Sequence, residues 1–181
     1  MSSRQLHLNV NLLHSGVYAS AWRLPESDPR ACFDVGHYVR VAKIAERGRL
    51  DAIFLADTPA ITDRIDYRSF MSLEPTIVLT AVAAETTHIG LIATASTTYN
   101  EPYNIARRFA TLDIASGGRA GWNAVTTADA AAGRNFGLSN VLEHKARYDR
   151  ANEFAEVVHA LWDSWEDDAF VGDKAAARFV D

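Results

Sequence analysis

Cysteine is nearly absent: Cys32 is the one cysteine in 181 residues. An intrachain disulfide is therefore excluded, and a reducing, cytoplasmic setting is expected. The six histidines show neither HxxxH nor HExxH spacing, and Cys32 has no partner, so no metal centre is expected. No apolar run is long enough to span a bilayer. The opening Met1-Ser2-Ser3-Arg4-Gln5 lacks the apolar stretch of a signal peptide. A Lys/Arg block is missing too. The 18 basic residues are outnumbered by 23 acidic ones, and the net charge of −5 is spread along the chain. Nucleic acid is therefore not an expected partner. There is no GxSxG elbow and no P-loop. Gly117-Gly118-Arg119-Ala120-Gly121 is not GxGxxG and precedes a strand, which excludes a Rossmann reading. No Ser/His/Asp triad follows from spacing. No sequence repeat or composition break divides the chain, so one domain over residues 1–181 is expected.

What the chain does have is four apolar strand-like runs, each followed by a helix-like run. Leu6 to Leu13 alternates apolar with polar and predicts a strand. Asp34 is placed as an N-cap, and the helix after it sets Val35, Tyr38, Val39, Ala42 and Ala45 on one face before stopping at Gly48. A second strand runs from Asp51 to Ala56, followed by a polar loop to Ser72 that carries Asp63, Arg64, Asp66, Tyr67 and Arg68. Glu74-Pro75 opens a helix, apolar from Ile77 to Ala84 and so expected to be buried. Ile89 to Thr94 forms the third strand, and Pro102 starts a helix that buries Ile105, Phe109 and Leu112. Gly117-Gly118 turns into a fourth strand at Arg119–Trp122. A Gly/Ala-rich loop from Thr127 to about Leu142 follows. In the last helix Phe154, Val158, Leu161 and Trp165 recur at helical spacing. The tail from Gly172 to Asp181 carries no assignment. The order β-α-β-α-β-α-β-α predicts an α/β fold with a parallel sheet.

Ligands of such folds collect at the carboxyl ends of the strands. Three of those ends carry hydrogen-bonding groups: Asp57, the hydroxyl run Thr94-Ser96-Thr97-Thr98-Tyr99, and Asn123. Asp57 equally suits a cap or loop carboxylate. The hydroxyls partly suit β-branched strand closure. Asn123 could serve its own loop or read the polar edge of a ring. His144, Arg147 and Tyr148 share a face at a helix start. That spacing is shared with an ordinary amphipathic helix, whereas the functional reading aims His144 and Tyr148 at the mouth of the sheet.

Several segments stand together in a recognisable order. They are Leu12-Leu13-His14-Ser15-Gly16, Ala21-Trp22-Arg23, Phe54-Leu55-Ala56-Asp57, Glu74-Pro75-Thr76, Ser96 to Tyr103, Ala106-Arg107, Leu112-Asp113, Gly118 to Thr127 and His144 to Ala151. The set resembles the nitrilotriacetate and dibenzothiophene-sulfone monooxygenase branch of the bacterial-luciferase-like superfamily. The resemblance implies a (β/α)8 TIM barrel, of which this chain would supply about the first four βα units. It implies reduced FMN (FMNH2) as cofactor, O2 as co-substrate, a separate flavin reductase as partner, and a small organic substrate oxygenated beside a C–N or C–S bond. A homo-oligomer is expected. By similarity, Asp57, Thr94, Ser96, Asn123, His144 and Tyr148 would contact FMN. Ala19 and Ser20 stand where some relatives carry a histidine, so no catalytic residue is assigned. Two other readings are carried forward. One is a non-catalytic half-barrel module that associates through its open sheet edges. The other is a related barrel enzyme that uses a deazaflavin.

Overall fold

A computed structural model describes residues 5–13, 15–61, 65–69 and 73–181. His14, Asp63 and Arg64, named above, lie outside the described residues. Four strands, β1 (Asn9–Asn11), β2 (Ala52–Leu55), β3 (Gly90–Ser96) and β4 (Ala120–Val125), form one sheet in the order β1-β2-β3-β4. Every pairing in it is parallel. The connecting helices are α1 (Val35–Arg47), α2 (Pro75–Ala83) and α3 (Pro102–Ser116), with α4 (Ala130–Asn135) and α5 (His144–Trp162) after β4.

Local chemistry starts and stops these helices where the sequence predicts. The Asp34 carboxylate caps α1 by accepting the Gly36 N–H at 2.8 Å. Glu74 does the same for α2 through the Ile77 N–H, with Pro75 in the first turn. At the end of α3, Gly117 takes φ 68°, which a residue with a Cβ adopts only with strain. The Gly118 N–H there returns to the Asp113 carbonyl at 2.9 Å. α1 stops at Gly48, as expected, without a left-handed glycine. Gly48 is right-handed at φ −73°, and Arg49 takes the left-handed turn at φ 58°.

The helices cover one face of the sheet. Ile53 and Leu55 of β2 and Leu91, Ala93 and Ala95 of β3 pack with Ala42, Leu79, Val82, Ile105, Phe109, Leu112, Phe154 and Val158 in a single core. A fully buried Leu or Ile contributes about 1.5–3 kcal/mol relative to exposure, so this layer drives folding. Strand side chains alternate. Ile92, Thr94 and Ser96 of β3 therefore face away from the helices. Register places them beside Gly121, Asn123 and Val125 of β4.

The opposite end of the sheet is riveted by two charged side chains. The Arg119 guanidinium donates to the carbonyls of Ser116, Ile89, Ala83 and Thr86 and to Thr86 Oγ1, at 2.6 to 3.1 Å. Glu46 Oε1 accepts the backbone N–H groups of Thr87, His88 and Ile89. These bonds, His88's foremost, hold the Glu46 carboxyl below its ordinary range. Its stabilisation is present above the usual carboxylate pKa and is lost as pH falls through the lowered value.

Several expectations are corrected. β1 is shorter than residues 6–13, because β2 offers only Ala52–Leu55 to pair with; Leu6 and Leu8 are exposed. Val35 and Ile77 face solvent, on the sides of α1 and α2 turned from the core. The run from 127 to 142 is not all loop: Asp129 accepts the Ala131 and Ala132 N–H groups and caps α4. α5 ends at Trp162, so Trp165 lies beyond the helix and is exposed. Trp162 takes the packing role instead, its indole N–H donating to the Ala106 carbonyl at 3.0 Å. The unassigned tail forms an antiparallel pair, β5 (Phe170–Asp173) and β6 (Arg178–Val180), as a separate two-stranded sheet. β3 and β4 run further than expected, so Ser96 and Asn123 lie within strands and the pleat fixes their direction. Among the described residues no helix is long and apolar enough to cross a membrane.

Replacing Arg119 by Met removes the shared donor of four carbonyls. We expect urea unfolding to show a loss of roughly 2–4 kcal/mol; a loss within 0.5 kcal/mol would contradict the rivet.

Candidate functional site

On the face turned from the helices, the carboxyl ends of β3 and β4 lie side by side. In the β3–β4 register, Thr94 sits beside Asn123. The Asn123 amide donates to Thr94 Oγ1 at 2.9 Å. Thr94 is 3% exposed and Asn123 half-buried, so the pair is a fixed polar contact on the strand face turned from the helices. One step further, Ser96 Oγ accepts the Thr98 N–H at 3.1 Å, and the Ser96 carbonyl accepts the Asn100 amide at 2.8 Å. Other hydroxyls of the run differ in their partners. Thr97 donates to the Val125 carbonyl at 3.2 Å, which closes the strand pair. Thr98 Oγ1 is buried with no hydrogen-bond partner among the described residues.

Asp57, just beyond β2, and Ser96 line one cleft of about 310 Å³. Thr58, Pro59, Glu74, Ala95, Tyr99, Asn100, Arg108 and Phe136 also line it. Burial, reinforced by the Glu74 charge, pushes the Asp57 carboxyl up to about 6; the Thr58 N–H and Arg108 oppose this. Arg108 is held loosely. Its Nη1 lies 3.8 Å from Glu74 Oε1, and its Nη2 donates to Asn100 Oδ1 at 3.4 Å.

Aromatic rings build one wall. Tyr99 and Phe136 stack with centroids 4.8 Å apart and planes parallel. α4 holds that wall in place, because the Tyr99 hydroxyl donates to the Asp129 carbonyl at 3.2 Å. The Asn135 amide reaches the Pro59 carbonyl beyond β2 at 3.0 Å. This short helix thus bridges the loops after β2 and β3.

The expected residues fall into three groups. Asp57 and Ser96 line one cleft, and Thr94 and Asn123 are bonded to each other on the adjacent strand face. His144 and Tyr148 pair with ring centroids 4.7 Å apart in the first turns of α5, where both are exposed. They do not line the Asp57 cleft. α5 is nevertheless anchored to the same end of the sheet, since Arg150 donates to the Thr97 and Asn100 carbonyls at 3.1 Å. Arg108 and Phe136 were not anticipated. Asp129 before an Ala-rich stretch was the available signal for α4, and hence for Phe136. Arg108 carried no signal, because its direction depends on where α3 packs. A larger apolar groove, about 560 Å³, lies elsewhere, between α3, α5 and the edge of β4, lined by Phe109, Ile114, Trp122 and Trp162.

The polar groups of this parallel sheet gather at the carboxyl ends of its strands, the end at which parallel α/β folds collect ligands. The chain belongs to the luciferase-like monooxygenase family, whose pattern matches residues 13–178. It is 46% identical over 178 residues to N-acetyl-S-(2-succino)cysteine monooxygenase of Bacillus subtilis (strain 168), covering 98% of this chain and 40% of that protein. It is 45% identical to nitrilotriacetate monooxygenase component A of Aminobacter aminovorans, covering 98% of this chain and 42% of that one. A dibenzothiophene-sulfone monooxygenase of Rhodococcus erythropolis (strain XP) matches at 44% identity, with 98% and 42% covered. Among solved structures, a riboflavin lyase holding modified FMN and riboflavin superposes with a TM-score of 0.86 at 37% identity, over 98% of this chain and 42% of that one. The chain thus spans about two fifths of the length of the relatives it matches.

The raised Asp57 pKa has a thermodynamic consequence. Between 3.8 and about 6 the folded chain holds this proton more tightly than the unfolded chain. The group's contribution to stability therefore falls as pH rises through that window. Asp57→Asn should raise the melting temperature at about pH 8 by the equivalent of roughly 1–2 kcal/mol and leave it nearly unchanged at about pH 4. Equal effects at both pH values in a thermal melt would contradict this.

Proposed function

We propose that this chain is the flavin-binding N-terminal portion of an FMNH2-dependent monooxygenase, supplying about the first four βα units of a (β/α)8 barrel. The observation that carries the reading is the Thr94–Asn123 pair, a built polar contact on the strand face turned from the helices, two residues along β3 from Ser96 of the Asp57 cleft. An isoalloxazine is an apolar ring with a polar edge. The site matches that character with Asp57, Ser96 and Asn123 as hydrogen-bonding groups and the Tyr99–Phe136 stack as a flat apolar wall. The buried, unpartnered Thr98 hydroxyl adds one more unfilled hydrogen-bonding group at this end of the sheet. His144 and Tyr148 would meet the flavin from α5, the helix that Arg150 moors to the rim.

When bound and reduced, FMN supplies the electrons that activate O2 and place one oxygen atom on the substrate. The chain's own residues do the rest. Asn123 offers donor and acceptor to the ring edge while its bond to Thr94 fixes its amide. Ser96 and Asp57 bound the ring from the neighbouring strand ends. Phe136 and Tyr99 keep water from one side. A separate reductase delivers the reduced flavin, and the substrate is a small organic molecule oxidised beside a C–N or C–S bond. The support for that pairing is the set of relatives, which are named for such substrates and include a "component A". A homo-oligomer working in the cytoplasm fits this role.

A second reading is a non-catalytic half barrel that associates through its edges. It draws on the apolar groove beside β4, which pairs with β3 alone among the described strands. Light scattering separates the two readings: a stable dimer that retains no flavin would favour the module.

Anaerobic titration with photoreduced FMN is expected to show weak, saturable binding. Asn123→Ala should weaken it about tenfold, the worth of one well-made hydrogen bond. Unchanged affinity in that variant would remove the basis of the proposal.

A further inference from the structure

Glu74 makes three contacts at once. Its Oε2 accepts the Ile77 N–H at 2.8 Å and the Thr76 hydroxyl at 2.6 Å, which fixes the carboxylate at the head of α2. Its Oε1 lies 3.8 Å from Arg108 Nη1. Among the described residues Arg108, from α3, makes no short bidentate pair with a carboxylate, and its Nε is buried without a partner. Asp57 enters the same cleft from β2. The cleft therefore holds two carboxyl groups and one guanidinium. The other titratable group on its lining is the Tyr99 phenol, from the loop after β3. α4 contributes the uncharged Phe136. One cation shared between two carboxyls leaves an excess negative charge when both ionise, and such pairs favour keeping a proton.

We propose that Glu74 is a positioning residue for Asp57. It engages Arg108 and presents a second negative charge, so that the Asp57 carboxyl holds a proton it can pass to a polar ring-edge atom of bound flavin. In that step the Asp57 O–H bond breaks, a bond from hydrogen to a ring-edge nitrogen or oxygen forms, and Asp57 is left as carboxylate until solvent returns a proton. No oxidant or reductant takes part. The physical arrangement agrees with the direction already described: burial first and Glu74 second push Asp57 up, and Arg108 is placed too loosely to cancel them. Only the identity of the proton acceptor rests on the flavin reading; the coupling of Glu74, Arg108 and Asp57 does not.

The test begins without flavin. Side-chain carboxyl 13C NMR of the 181-residue chain follows the Asp57 midpoint in the unmodified protein, in Glu74→Gln and in Arg108→Met. Gln keeps an acceptor for the α2 cap, and Arg108→Met tests the same coupling if Glu74→Gln fails to fold. Glu74→Gln is expected to lower the midpoint by about one pH unit, and Arg108→Met to raise it. Midpoints that stay in place in both variants overturn the proposal. Anaerobic titration with photoreduced FMN across pH then reads the second half. The affinity should change slope at the Asp57 midpoint, and that break should move down in Glu74→Gln. FMN binding that ignores a shifted midpoint overturns the proton transfer. Shifted midpoints in a chain with no measurable affinity for FMN support the coupling and overturn the flavin reading instead.

Discussion

The in-register parallel pairing of β3 with β4 is the constraint on which the site depends. Because Ile92 meets Gly121 and Thr94 meets Asn123, the polar groups of two strands fall side by side on one face. A slip of β4 by one residue against β3 would turn Asn123 into the helix layer, bring Trp122 out in its place and separate Asn123 from Thr94. Register is secured from both sides. On the covered face, the Trp122 indole donates to the Ala95 carbonyl at 3.1 Å and its ring packs between Phe109 and Phe154. At the far end, Arg119 ties the turn before β4 to the turn before β3. The residues that look most structural therefore determine where Asn123 points.

The chain separates its tasks along the strand axis. The amino ends of β3 and β4 carry charge that is fully committed: Arg119 and Glu46 spend their hydrogen bonds on backbone groups. The carboxyl ends carry polar groups that are only partly committed, such as Arg108, Asp57 and the Thr98 hydroxyl. Satisfied polar networks rigidify, and unsatisfied ones are retained where a ligand completes them. This polarity along the sheet, and not any single residue type, is the feature on which the proposed flavin site at the rim rests.

The alternation of apolar runs with helix-like runs was enough to read the four strands, their parallel order and the end at which polar groups collect. Asp34, Glu74-Pro75 and Gly117-Gly118 mark boundaries by local chemistry, and such signals act within one turn, so they are visible in sequence. What was not legible is tertiary. Trp165 shares the periodicity of Phe154 and Val158, yet the helix stops first and Trp162 fills the space. Phe136 and Arg108 reach the cleft only because α4 bridges two loops and α3 packs at one particular angle. His144 and Tyr148 do share a face, as their spacing required, but spacing carries no information on distance to Asp57. They pair with each other on the exposed side of α5. Family resemblance, rather than periodicity, connected those dispersed residues to flavin.

A crystal structure of the chain soaked with FMN measures the central claim most directly. The account predicts isoalloxazine density at the carboxyl ends of β2, β3 and β4, with its polar edge against Asn123 and its rim near Asp57 and Ser96. Ordered flavin at the amino ends of those strands, beside Arg119, or in the apolar groove along β4 would contradict it.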